Sequence, residues 1–221
     1  MFQRARSAEQ REIRRQAILD TAAEMLAEMP VAAVSLNELS RRVGLAKSNV
    51  LRYFESREAA LLELLDFFLE NWLAALADEL AAGIDAQEPP EVRAGQLAEI
   101  LSRSLADRVV LCDLFGAQGG VLEHNVSVEV VKRHKRSSLA RLAAMTELVR
   151  RHVPELGDDQ AQLFCLMGLV SAGALSAYAS PPPSVLAAYA DEPALGVLHR
   201  DLRDALRASF TSSLLGVLPR A

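Results

Sequence analysis

The chain has 221 residues, of which 51% are hydrophobic and 24% charged, with a net charge of −5. That length suits one large domain or a small one joined to a larger, with enough apolar residues for a sizeable core. Two cysteines 53 positions apart exclude a disulfide scaffold or a Cys-rich metal fold and fit a reducing compartment, the cytoplasm.

The acidic total argues against nucleic acid, but the charge is unevenly spread. Residues 1–60 hold ten Lys or Arg against eight Asp or Glu, and residues 61–221 hold fourteen against twenty-one. Phosphate attraction therefore belongs to the N-terminal end. The first residues, with Arg4, Arg6, Arg11, Arg14 and Arg15, read as a solvated, unstructured lead-in to helix one, or as an arm lying near a duplex. No apolar run follows these charges, as a secretory signal requires.

Residues 35–58, S-L-N-E-L-S-R-R-V-G-L-A-K-S-N-V-L-R-Y-F-E-S-R-E, carry the strongest signal. Ser35 followed by Glu38 predicts a capping box, each side chain satisfying a free backbone N–H. Leu36, Leu39 and Val43 repeat at helical spacing, and Gly44 ends the helix, where left-handed backbone suits a residue without Cβ. A second short helix is expected over 46–54 with Val50 and Phe54 inward, and Ser56 caps a third with Glu58 in its first turn. Two short helices joined by a three- to four-residue glycine turn are a helix-turn-helix. The second presents Lys47, Ser48, Asn49, Arg52 and Tyr53, side chains suited to phosphates and base edges.

Beyond this motif six further helices are expected, at 57–82, 91–106, 109–117, 128–151, 158–179 and 198–217, with no strands. Phe67, Phe68, Trp72 and Leu76 lie along the apolar side of the first of these. The run Lys132–Arg136 reads as a solvated helix face, the alternative being a second patch for nucleic acid or an acidic partner. No charged residue lies between Asp159 and Asp191, and 163–179 is long enough for a membrane span of about 18–20 residues. Its Ala, Gly and Ser content and lack of Lys/Arg flanks predict instead a helix buried on all sides, partly by a second subunit, with no membrane partner. Leu202, Leu206, Phe210 and Leu214 make one stripe on the last helix, and with Leu166 and Val170 they form the candidate dimer interface. Phosphate-binding loops, metal-spaced His/Cys clusters and nucleophile–base spacings are absent, so no catalytic residue, metal or cofactor is predicted. An enzyme with non-local catalytic residues is the rival reading. Cys112 reads as a buried small hydrophobe rather than a redox sensor.

The pieces I-L-D-T-A-A-E-M-L, S-L-N-E-L-S-R-R-V-G-L-A-K and L-R-Y-F-E-S-R-E-A-A-L-L-E, within residues 13–65, resemble the DNA-binding domain of the tetracycline-repressor (TetR) family of bacterial regulators. The resemblance implies an all-α protein of about nine helices, with residues 1–60 binding DNA and 61–221 binding an effector and dimerising through the last two helices. It implies DNA contacts at Ser35, Asn37, Lys47, Ser48, Asn49, Arg52, Tyr53 and Arg57. Leu51 departs from the family's usual phosphate-contacting tyrosine, Ser48 from a common glycine, and Arg57 from a lysine. The function implied is a homodimer that binds a palindromic operator in double-stranded DNA and is released by an apolar or amphipathic small molecule. An effector-free regulator is the alternative. Candidate effector-lining residues are Trp72, Phe115, Gln118, His124, Met145, Phe164 and Met167, of which His124 equally reads as a structural hydrogen-bonding group.

Overall fold

The arginine-rich start contains good helix formers and no breaker before Pro30, and it is helical backbone rather than an unstructured lead-in. The structure, a computed structural model, describes residues 2–218, with side chains from residue 9, so those of Arg4 and Arg6 lie outside it. Among the described residues ten α-helices follow one another: α1 (Phe2–Glu28), α2 (Leu36–Val43), α3 (Lys47–Val50), α4 (Arg57–Gly83), α5 (Pro90–Ala106), α6 (Val109–Ala117), α7 (Val128–His152), α8 (Asp158–Ala179), α9 (Pro183–Asp191) and α10 (Leu202–Val217). No strand occurs among the described residues.

Two boundaries correct the sequence reading. The short α9 is one helix more than expected; Pro183 sits at its start, where a missing N–H costs nothing. The last helix begins at Leu202, not 198, because Asp201 caps it by accepting the Asp204 N–H at 3.0 Å.

The helices form two packed groups. In the first, α1 lies across α2 and α4 over a core that includes Ile18, Ala22, Met25, Leu39, Val50 and Phe54. In the second, α4 packs on α5, α6 and α7, α10 lies against α5 and α8, and α6 lies against α8. The α6–α8 crossing brings backbones close: a Cβ on Gly173 would stand 2.7 Å from the Phe115 carbonyl carbon, and one on Gly116 2.9 Å from the Gly173 oxygen. The small residues of α8 thus serve contact within this chain.

Side-chain bonds tie the two groups together. Asp113 of α6 accepts the Val31 N–H at 2.7 Å, in the turn that precedes α2, and Glu55 accepts the Ser127 N–H at the start of α7. Buried His134 of α7 bonds through Nδ1 to Asp66 of α4 at 3.0 Å. Through α4 and these bonds, α6 and α7 are joined directly to the N-terminal helices.

Candidate nucleic-acid interface

The N-terminal group is held by local chemistry. Ser35 Oγ accepts the Glu38 N–H at 3.1 Å, but the reciprocal half of the predicted capping box is missing. Glu38 instead bonds Arg41 Nε and Arg42 Nε, each at 2.9 Å. Those two guanidiniums, Arg41 first, hold its carboxyl down at about 2. Gly44 adopts φ 73°, ψ 27°, closing α2 in the left-handed region. Nothing lies near a Cβ built there, so only backbone conformation opposes a side chain. Gly44→Ala is expected to lower stability by about 1–2 kcal/mol in urea unfolding, with Gly44→Asn costing less; equal losses would contradict this account.

The expected helix over 46–54 is shorter. Regular α-helix covers only Lys47–Val50, and the chain then tightens, Arg52 N bonding Asn49 O and Tyr53 N bonding Val50 O. Val50 and Phe54 point into the core as predicted. Lys47, Ser48, Leu51 and Arg52 are exposed and Asn49 and Tyr53 half-buried, and nearby Asn37 is exposed and Ser35 half-buried. Apart from Arg57, the eight-residue set is thus exposed or half-buried on α2 and its N-cap, α3 and the turn that follows it. Arg15 of α1 stacks its guanidinium 4.9 Å from the Phe54 ring centre and bonds Glu63 of α4, bracing the turn from behind. Sequence reasoning missed this role, since nothing local links residue 15 to residue 54.

Arg57 is turned inward, against the expectation of a phosphate contact. Its Nη1 bonds the Val34 carbonyl and its Nε bonds Glu58 at 2.8 Å. Burial pushes the Glu58 carboxyl up, but bonds from Arg57 and its own backbone bring it net below the usual range. Arg57→Ala strips Glu58 of its partner and is expected to cost about 2 kcal/mol of stability. An unchanged denaturation midpoint would return Arg57 to the surface role.

The proposed effector residues are not brought together. Trp72 is a core residue whose Nε1 donates to Ser104 Oγ at 3.0 Å, and Ser104 in turn donates to Glu79 at 3.1 Å. Met145 and Phe164 are buried, the latter edge-on to Phe210. Phe115 and Gln118 are half-buried, and His124 and Met167 are exposed. None of the seven lines either of two pockets, one of about 320 Å³ between α4 and α7 and an open one of about 920 Å³ beside the start of α10.

The candidate dimer set divides. Leu202, Leu206, Phe210 and Leu214 are buried within this chain, because the α10 stripe packs on α5 and α8; these four are not available to a partner. Leu166 and Val170 are 46% and 55% exposed, in line with exposed Leu163, Met167 and Tyr178 along α8. One face of α8 thus packs on its own chain, and the other, expected to meet a second subunit, is exposed in the single chain. Likewise Phe67 of α4 is exposed, not part of the apolar side. Lys132 and Lys135 pair with Glu129 and Glu123, and His134 faces inward, so the basic run is not one patch. Both cysteines are buried, which pushes each thiol up to about 12, inert as a thiolate donor. α8 is the described helix long and apolar enough to cross a membrane, but one face packs on α6, α7 and α10.

Comparison with known proteins bears on this geometry. Residues 18–64 match the family model for bacterial regulatory proteins of the tetR family, and residues 68–221 match the tetracyclin repressor-like C-terminal domain. Among solved structures, the chain is similar to the fatty acid degradation regulator FadR of Bacillus halodurans, with TM-score 0.54 and 16% identity over 94% of this chain and 97% of that one. It is also similar to Thermus thermophilus FadR, a TetR-family repressor solved with lauroyl-CoA, with TM-score 0.55 and 17% identity over 94% and 96%. A TetR regulator from Nitrosomonas europaea gives TM-score 0.51 and 17% identity over 92% and 96%. No curated protein matches the sequence.

Proposed function

The chain belongs to the TetR family of transcriptional regulators, with an N-terminal DNA-binding domain, and from that membership we propose a homodimeric, ligand-released repressor of the cytoplasm. Residues 1–60 read DNA, and residues 61–221 bind the effector and the second subunit, with α4 running unbroken between them. The observation that carries this reading is the Lys47–Tyr53 turn, which stands exposed on a frame built from buried Val50 and Phe54 and the Arg15 brace. Arg52, Lys47 and Asn49 reach base edges or phosphates, Ser35, Asn37, Ser48 and Tyr53 contact phosphate, and Arg57 acts from behind by clamping Val34 and Glu58.

Two such turns related by a two-fold axis dock on a palindrome whose half-sites lie about 34–36 Å apart. Dimerisation uses the exposed α8 face around Leu166 and Val170. An effector that moves α6 or α7 tilts the reading turn through Asp113–Val31 and His134–Asp66 and lowers operator affinity by a coupling of about 1–3 kcal/mol. The effector is an apolar or amphipathic molecule, the class of the lauroyl-CoA that the Thermus protein holds. A helical enzyme with non-local catalytic residues is the rival reading, and it leaves the residue 35–58 pattern unexplained.

Selection of bound fragments from genomic DNA by the purified protein tests the reading. A palindrome is the expected enrichment; recovery of random sequence overturns sequence-specific repression. A thermal-shift screen of amphipathic ligands, followed by release of the selected DNA, separates an effector-controlled repressor from an effector-free one.

A further inference from the structure

Arg133, Ser137 and Arg141 are spaced four residues apart on α7 and so share one helix face. All three line the pocket of about 320 Å³ whose far walls are Leu62, Glu63 and Asp66 of α4 and Arg15 of α1. The pocket's charges are unequally matched. Glu63 is neutralised by Arg15, and Asp66 is bonded by His134. Arg133 has no ion-pair partner among the described residues, and Arg141, though bonded to Glu70 at 2.8 Å and to Ser137, keeps a buried Nε–H with no acceptor. The site therefore offers free donors, with the Arg133 guanidinium unmatched by a carboxylate, while Glu63 and Asp66 are already hydrogen-bonded.

We propose that this pocket binds a small oxyanion, a carboxylate or phosphate group, between Arg133, Ser137 and Arg141. Planar guanidiniums grip two oxygens at once, and a hydroxyl between them completes a donor row of fixed spacing. The volume lies at the lower end for ligand sites and admits a small metabolite rather than a long acyl chain. A metal ion has no vacant carboxylate here, which disfavours cations. An occupant would join α7 to the α1–α4 corner that braces the reading turn. Its effect on operator binding rests on the function proposed above, whereas binding itself does not.

The test is calorimetric titration of the full chain at low chloride with inorganic phosphate and, separately, with citrate. The expected result is saturable binding of at least one of them at one site per chain. Arg133→Gln, exposed and unpaired, is expected to weaken it at least tenfold with an unchanged melting temperature. Arg136→Gln, which removes the same charge outside the pocket, is expected to leave it intact. Phosphate binding without citrate assigns a phosphate ligand, and the reverse assigns a carboxylate. Binding of neither anion, equal affinity in Arg133→Gln, or an equal loss in Arg136→Gln overturns the proposal, and none of these outcomes touches the DNA reading.

Discussion

Arg52→Ala is expected to cost about 1–3 kcal/mol per half-site on the selected operator, and much less on random duplex, in fluorescence titrations at fixed salt. Arg52 is exposed beside Lys47 at the open end of the turn, and among the described residues its side chain has no ion-pair partner. Its guanidinium is therefore free to bond a guanine edge, and removing it leaves the fold intact. Lys47→Ala supplies the contrast. A lysine that meets only phosphate weakens all sequences alike and reduces the salt slope by about one unit. Equal losses on operator and random duplex for Arg52→Ala would move that residue from reading bases to holding backbone.

Val170→Arg is expected to convert the proposed dimer into a folded monomer and to weaken palindrome binding by roughly 10²- to 10⁴-fold, the range gained when two modules bind as one. Val170 lies within the exposed apolar line Leu163, Leu166, Met167, Val170 and Tyr178 on α8. A charge buried there without a partner opposes association, yet in the single chain it remains in water. Leu206→Ala discriminates. It sits on α10, fully buried in its own chain, so its loss is expected to cost about 2–5 kcal/mol of folding stability without a specific effect on assembly. Sedimentation velocity and urea unfolding of both variants check this. A dimeric Val170→Arg protein, or a stable but monomeric Leu206→Ala protein, would place the interface elsewhere.

Local rules were legible where a few neighbouring residues carry the whole cause. Gly44 closes α2 and Ser56 caps α4 by accepting the Ala59 N–H at 3.1 Å, as expected from spacing alone. Val50 and Phe54 are core residues because helical periodicity puts them opposite Lys47 and Arg52. The same reasoning went astray when two local partners competed for one group. Glu38 was assigned to the Ser35 N–H, but two guanidiniums one turn along hold it instead.

Periodicity identified the apolar face of α10 but not what covers it. Leu202, Leu206, Phe210 and Leu214 are equally suited to an intramolecular or an intermolecular surface, since burial of apolar area is non-directional. Packing on α5 and α8 decided between them, and it left the outer apolar line of α8 exposed. The aromatic and Met residues named as pocket-lining are spread through the helical domain: Trp72 has an in-chain hydrogen bond, and Met167 faces outward.

From the order of residues alone came the all-helical class, the helix-turn-helix and the exposed polar side chains of its second helix, because caps, turns and helical period act within a few positions. Contacts that join distant positions were settled only on folding: Arg15 on Phe54, Asp113 on Val31, His134 on Asp66, and the donor row of α7 over its pocket. These pairs lie between 39 and 82 residues apart, and nothing in either partner's neighbourhood specifies the other until the helices have packed.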